Sequence, residues 1–142
     1  MVLPLGSPPI DDGYVHLNGD RIVAVGRARD LASRKCEDLG ESILMPGLIN
    51  AHYHLDFTVM RGAILQQESF SHWVRRINDL KRTLTDEDYL ESIFNGFTEL
   101  RRWGTTAVFN IESFPELMVH MPPPPIRAWW FYELIDVRNR IH

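Results

Sequence analysis

The 142-residue chain has a single cysteine, Cys36, so it can form no internal disulfide. A reducing, cytoplasmic setting is the expectation. Long apolar runs are also missing: the stretches 43–49 and 128–132 fall far short of the ~20 residues that cross a bilayer, so no membrane partner is expected. Basic residues are outnumbered, 15 against 19 acidic, for a formal charge of −4. Without a basic cluster the chain lacks the footprint that phosphate backbones require, which argues against nucleic acid as a partner. The first ten residues carry neither a basic n-region nor an apolar h-region, so no secretory signal is expected. No internal repeat appears, and the one biased tract is the four prolines 122–125. What remains, 44% hydrophobic and 24% charged, is the composition of a globular domain or of part of one.

The opening segment reads as small β structure. Gly13 to Leu17 and Arg21 to Val25 are apolar-rich runs flanking Asn18-Gly19-Asp20, and Asn-Gly between two such runs is a strong hairpin signal. Arg27 to Gly40 is polar enough for a connecting loop or short helical turn. Pro46-Gly47 then introduces an apolar strand from Leu48 to Leu55. Phe57 to Gln67 has no clean period and reads as a long loop. Phe70, Trp73, Val74, Ile77 and Leu80 recur at helical spacing to about Arg82, with Trp73, Ile77 and Leu80 expected as core. A second helix starts at Thr85, whose hydroxyl precedes acidic first-turn residues, and Gly104 stops it. Thr105 to Asn110 is β-branched and apolar, a buried strand. Ser113 to Met121 is a short helix candidate, the prolines form an extended connector, and Ile126 to Val137 is expected as a further buried strand with aromatic residues 129–132 filling space on both its sides. Strands alternating with helical segments imply βα units and a parallel sheet.

His52-Tyr53-His54 lies late in the first of these strands. Side chains two apart on a strand project to one face, with Cα atoms roughly 6.5–7 Å apart, so two imidazoles can converge on one divalent ion. By spacing alone such a pair in a strand is more often incidental.

The surrounding residues supply more. Ile43-Leu44-Met45-Pro46-Gly47-Leu48-Ile49-Asn50-Ala51-His52-Tyr53-His54-Leu55-Asp56, followed by Met60-Arg61-Gly62, resembles the opening of the metal-dependent amidohydrolase superfamily. Its first barrel strand begins with Pro-Gly and ends in His-x-His. The earlier Asp20-Arg21-Ile22-Val23-Ala24-Val25-Gly26 is similar to the small β domain that precedes that barrel, and Leu100-Arg101-Arg102-Trp103-Gly104-Thr105-Thr106 matches the passage into its second strand. The nearest branch is that of cytosine and guanine deaminases, chlorotriazine hydrolases, and aminodeoxyfutalosine or adenosylhomocysteine deaminases.

The resemblance implies an α/β fold: residues 1–45 as part of a small β-sandwich domain, and residues 46–142 as the first three or so strands of a (β/α)8 TIM barrel. It implies a hydrolase of non-peptide C–N bonds, an aminohydrolase (deaminase) of a nitrogen heterocycle, with a metal-activated water as nucleophile. His52 and His54 become ligands of a divalent metal, zinc or iron. The family's further histidines, catalytic glutamate and late aspartate belong to strands expected beyond residue 142, so no catalytic residue is assigned within the chain. Such a barrel takes about 250 residues, and two histidines fall short of the three protein ligands usual for catalytic zinc. Residues 1–142 alone are therefore expected to be inactive, their open strand edges calling for a homo-oligomer or a complementing chain.

Other candidates stay open. Asp56 either orients a ligand imidazole or caps the following turn. Glu112 and Glu133 end strands where a barrel's active site opens; each either contacts substrate or is solvated or paired with Arg61 or Arg138, and Asn110 shares the alternative. His16, His72, His120 and His142 have no motif support. Two rivals to the hydrolase reading are a catalytically inactive fragment or interaction module retaining the start of the fold, and a free-standing α/β binding domain with fortuitous histidines.

Overall fold

A computed structural model describes residues 1–31 and 35–133. Packing divides it into two units, one of residues Met1–Pro46 and one beginning at Gly47.

In the first unit, β1 (Gly13–Asn18) pairs antiparallel with β2 (Arg21–Arg27). Asn18 pairs with Arg21, so the two-residue loop is Gly19-Asp20 and Asn18 closes the strand. Gly19 opens that loop at φ +61°, a left-handed conformation that costs glycine little. Val2 bridges both Ile10 and Leu44, tying the ends of the unit together.

The second unit contains a three-stranded parallel sheet of β3 (Leu48–Tyr53), β4 (Thr105–Glu112) and β5 (Arg127–Tyr132), with β4 in the middle. Between β3 and β4 run α1 (Phe70–Lys81) and α2 (Asp86–Arg102). Thr85 caps α2 through a reciprocal box with Asp88: the Asp88 amide donates to the Thr85 hydroxyl and the Thr85 amide to the Asp88 carboxylate. The core is formed where α2 lies against the sheet, with Leu55, Ile93, Phe97, Leu100 and Val108 buried and Tyr53, Ala128 and Trp130 packed around them. A second cluster, Met60, Ile77, Tyr89 and Leu117, joins α1 to α2. No helix among the described residues is long and apolar enough to cross a membrane.

Three sequence expectations are corrected. The segment after β3 is not an irregular loop throughout, since Leu55–Met60 forms 3₁₀ turns. Its three-residue period over two turns is too short to show in an apolar pattern. The short helix expected within Ser113 to Met121 is present, as the 3₁₀ helix Pro115–His120. Trp73 is 40% exposed and stacks loosely on Phe70, leaving Ile77 and Leu80 to carry the packing of α1. Residues 129–132 do not fill both sides of a buried strand. Trp130 meets the core through Phe97, but Trp129, Phe131 and Tyr132 are 44%, 48% and 61% exposed. The reason is geometric: α2 covers the face that Trp130 enters, alternation sends Trp129 and Phe131 to the other, and Tyr132, on the side of Trp130, is the last residue of the strand. The part of the expected last strand beyond residue 133, Arg138 and His142 lie outside the described residues.

Candidate metal centre

β3 ends at Tyr53, whose side chain packs into the helix-covered core, so its neighbour His52 faces the uncovered side of the sheet and is exposed. His54, one residue past the strand, is partly buried with its ring stacked on Phe57, centroids 4.6 Å apart and planes 13° from parallel. The His52 and His54 rings meet edge to face with centroids 5.4 Å apart. An ion ~2.1 Å from one nitrogen of each of two imidazoles lies ~3.2 Å from each ring centre, and a tetrahedral angle then sets the centres ~5 Å apart. The observed spacing fits a shared cation. Among the described residues Nδ1 of His54 is buried without a hydrogen-bond partner, which leaves Nε2 as the nitrogen open to an ion. No group of three His, Cys, Asp or Glu side chains among the described residues could hold a metal, so this pair would need further donors to complete a coordination shell. Burial holds the His54 pKa below the ordinary imidazole value, outweighing the nearby Asp56 carboxylate, and thereby favours the neutral form a metal ligand needs.

Asp56 is fully buried, with Oδ1 3.9 Å from His54 Nδ1 and Oδ2 3.2 Å from Lys81 Nζ. It does not cap the turn, because among the described residues neither carboxylate oxygen accepts a hydrogen bond. Desolvation raises its pKa and Lys81 opposes that rise. Its backbone is clamped: Ser92 Oγ lies 3.0 Å from the carbonyls of both Leu55 and Asp56 and accepts from the Val59 amide at 2.9 Å.

Asn110 and Glu112 are buried and joined to each other. Asn110 Oδ1 accepts from the Leu55 amide at 2.8 Å, its Nδ2 donates to Glu112 Oε2 at 3.2 Å, and Glu112 Oε1 accepts from the Phe114 amide at 3.1 Å. Neither is solvated, and Arg61 pairs with Glu99 instead of with Glu112. Burial raises the Glu112 pKa, with the Asp56 carboxylate acting in the same direction. Glu133, partly buried, accepts from Ser113 Oγ at 3.0 Å. The ends of the three strands thus bring His52, His54, Asp56, Asn110, Glu112 and Glu133 into one neighbourhood. His72 and His120 are exposed and stand apart from these contacts.

Lys81 and Ser113 belong to this neighbourhood and were not expected from the sequence. A signal existed: Lys81 lies four residues after Ile77 on the apolar stripe of α1, where a lysine must find a partner.

A model described as the amidohydrolase family matches residues 43–119, more than half of the chain. A curated 5-methylthioadenosine/S-adenosylhomocysteine deaminase of Lawsonia intracellularis is 31% identical over 112 residues, covering 75% of this chain and 25% of that protein. The enzyme of the same name from Desulfovibrio desulfuricans is 35% identical over 116 residues, covering 80% and 25%. Among solved structures, an adenosine deaminase from Xanthomonas campestris with bound zinc superposes with a TM-score of 0.62 at 24% identity, covering 84% of this chain and 29% of that one. The chain spans about a quarter of the length of the curated relatives it matches.

Proposed function

Because the chain belongs to the amidohydrolase family, we propose that it forms the N-terminal part of a metal-dependent aminohydrolase acting on a nitrogen heterocycle, with His52 and His54 as two ligands of a zinc or iron ion. The observation that carries this reading is the convergence of the two imidazoles at the C-terminal end of β3, centroids 5.4 Å apart. In this reading β3, β4 and β5 are the first strands of a (β/α)8 barrel, residues 1–45 are part of the small β-sandwich domain before it, and the exposed face bearing His52, Trp129 and Phe131 is the barrel interior. A bound ion would supply an activated water to attack a ring carbon bearing nitrogen. The chain's own residues do the rest of the local work: Phe57 sets the plane of the His54 ring, Asn110 fixes the Leu55 amide next to it, and Glu112 secures Asn110 in turn. The named deaminase relatives support a purine-like heterocycle as substrate, and the single cysteine fits a cytoplasmic protein.

The test has two parts. Zinc titration of the intact chain, followed through imidazole NMR shifts, should perturb His52 and His54 together, and His52→Gln or His54→Gln should abolish binding. Residues 47–133 should then replace the matching segment of a relative's barrel with retention of ammonia release, lost in the same two variants. Zinc shifts confined to other histidines would overturn the ligand assignment. A folded chimera that binds zinc but releases no ammonia would favour the rival reading of a catalytically inactive module.

A further inference from the structure

This inference rests on the reading of His54 as a metal ligand. Around it the backbone is fixed by Ser92 and Asn110, and the Asp56 carboxylate lies between two basic side chains, His54 at 3.9 Å and Lys81 at 3.2 Å. Lys81 is itself held in place. Its Nζ donates to Ser113 Oγ at 2.7 Å, the Ser113 hydroxyl donates to Glu133 Oε2 at 3.0 Å, and the ammonium lies 4.4 Å from the centre of the Phe57 ring. Phe57 is the ring on which His54 stacks. One lysine on α1 therefore contacts two of the groups around the His54 imidazole, Asp56 and Phe57, and it is only 12% exposed.

We propose that Lys81 is a positioning residue for the metal centre: by engaging Oδ2 of Asp56 it turns Oδ1 toward His54 Nδ1, and by lying on Phe57 it fixes the plane of the ring. Together these contacts select the imidazole tautomer with the proton on Nδ1 and present Nε2 to the ion. A carboxylate behind a ligand histidine is a recurrent device for orienting it. Here the carboxylate is buried and accepts no hydrogen bond among the described residues, so its orientation comes from the lysine 3.2 Å away. An ordinary structural ion pair would require none of this alignment with His54, and removing one would alter stability alone.

The measurement is the tautomer of His54 in the intact, metal-free chain, read from long-range 1H–15N correlations above the imidazole pKa and assigned by comparison with His54→Gln. The wild type should show the Nδ1–H pattern. Lys81→Met, which keeps the length of the stem and removes the charge, should move the tautomer ratio at least threefold toward Nε2–H, the form that free imidazole side chains favour. Ser113→Ala leaves the ammonium and removes its anchor, so it should give a smaller shift in the same direction, and it carries the test if Lys81→Met does not fold. A lowered melting temperature with an unchanged tautomer in the folded variants would overturn the proposal. Zinc titration separates the two readings: a wild type with the Nδ1–H pattern whose His52 and His54 signals ignore zinc would sink the ligand assignment and leave the positioning role of Lys81 standing.

Discussion

Asn110→Asp isolates the strap behind the metal centre with a change of one atom type. The wild-type amide has two tasks, accepting from the Leu55 amide at 2.8 Å and donating to Glu112 Oε2 at 3.2 Å, in a site with no solvent exposure. Aspartate keeps the first and inverts the second, placing one carboxylate oxygen against another. Two full charges at that distance repel by ~5 kcal/mol at an effective dielectric of ~20, so the pair lowers its energy by keeping a proton. Linkage gives the sign. The shared proton raises a carboxyl pKa in the folded state above its unfolded value near 4, so the variant matches the wild type best at low pH and loses stability as pH rises through the folded value. One proton limits the slope to ~1.4 kcal/mol per pH unit. Urea unfolding followed by tryptophan fluorescence should therefore give a wild-type minus variant gap at least ~2 kcal/mol larger at pH 8 than at pH 5. A gap equal at the two pH values would refute the coupling of Asn110 to Glu112 and reduce Asn110 to a backbone acceptor.

Two further outcomes probe the packing that supports the site. A Cβ at Gly96 of α2 would meet Leu55 Cδ2 at 2.6 Å and Thr58 Oγ1 at 2.7 Å; Gly96→Ala should therefore cost ~1–3 kcal/mol in denaturant unfolding despite gaining ~1 kcal/mol of helix propensity, and a stabilised variant would contradict the close approach of α2 to the 3₁₀ turns. The Tyr89 phenol, buried and donating to the Lys81 carbonyl at 3.0 Å, has its pKa pushed up to about 12 by desolvation with help from Asp56 and Glu112. Tyr89→Phe should cost ~1 kcal/mol at neutral pH. That deficit should close between pH 10 and 12, because a raised phenol pKa lends the wild type stability below its unfolded value that is lost as pH climbs through the folded one; a deficit that persists undiminished to pH 12 would count against a buried phenol.

Local chemistry was the legible part of this sequence. Thr85 and Asp88 carry their capping box on four consecutive residues, Gly104 ends α2 with φ +78°, and the order of strands and helices comes from periodicity within each segment. The offset at the first hairpin is a register detail: Asn18 pairs with Arg21, so the loop begins at Gly19. The features that stayed hidden depend on partners far away in the chain. Asn110 reads as a polar residue near a strand end, and only the Leu55 amide, 55 residues earlier, turns it into a strap. Glu112 reads as a carboxylate at an active-site mouth for the same reason, although its oxygens are committed to Asn110 and the Phe114 amide. Lys81 shows the limit most clearly, since the stripe that contains it predicts burial without naming the carboxylate that receives it.

The two imidazoles illustrate why a motif and its surroundings have to be argued separately. Alternation along β3 is enough to send His52 and His54 toward one side, but the strand ends at Tyr53, and beyond that point the backbone no longer dictates where a side chain points. The direction of His54 is set by its tertiary partners: the Leu55 amide tied to Asn110, the Leu55 and Asp56 carbonyls tied to Ser92, and the ring laid on Phe57. Those partners come from β4, from α2 and from the 3₁₀ turns, so the second histidine is placed by tertiary structure where the first is placed by the strand. Substitutions at Asn110 or Ser92 should therefore disturb His54 while leaving His52 in place. NMR shift changes confined to one of the two rings would distinguish this division of labour from a motif positioned by β3 alone.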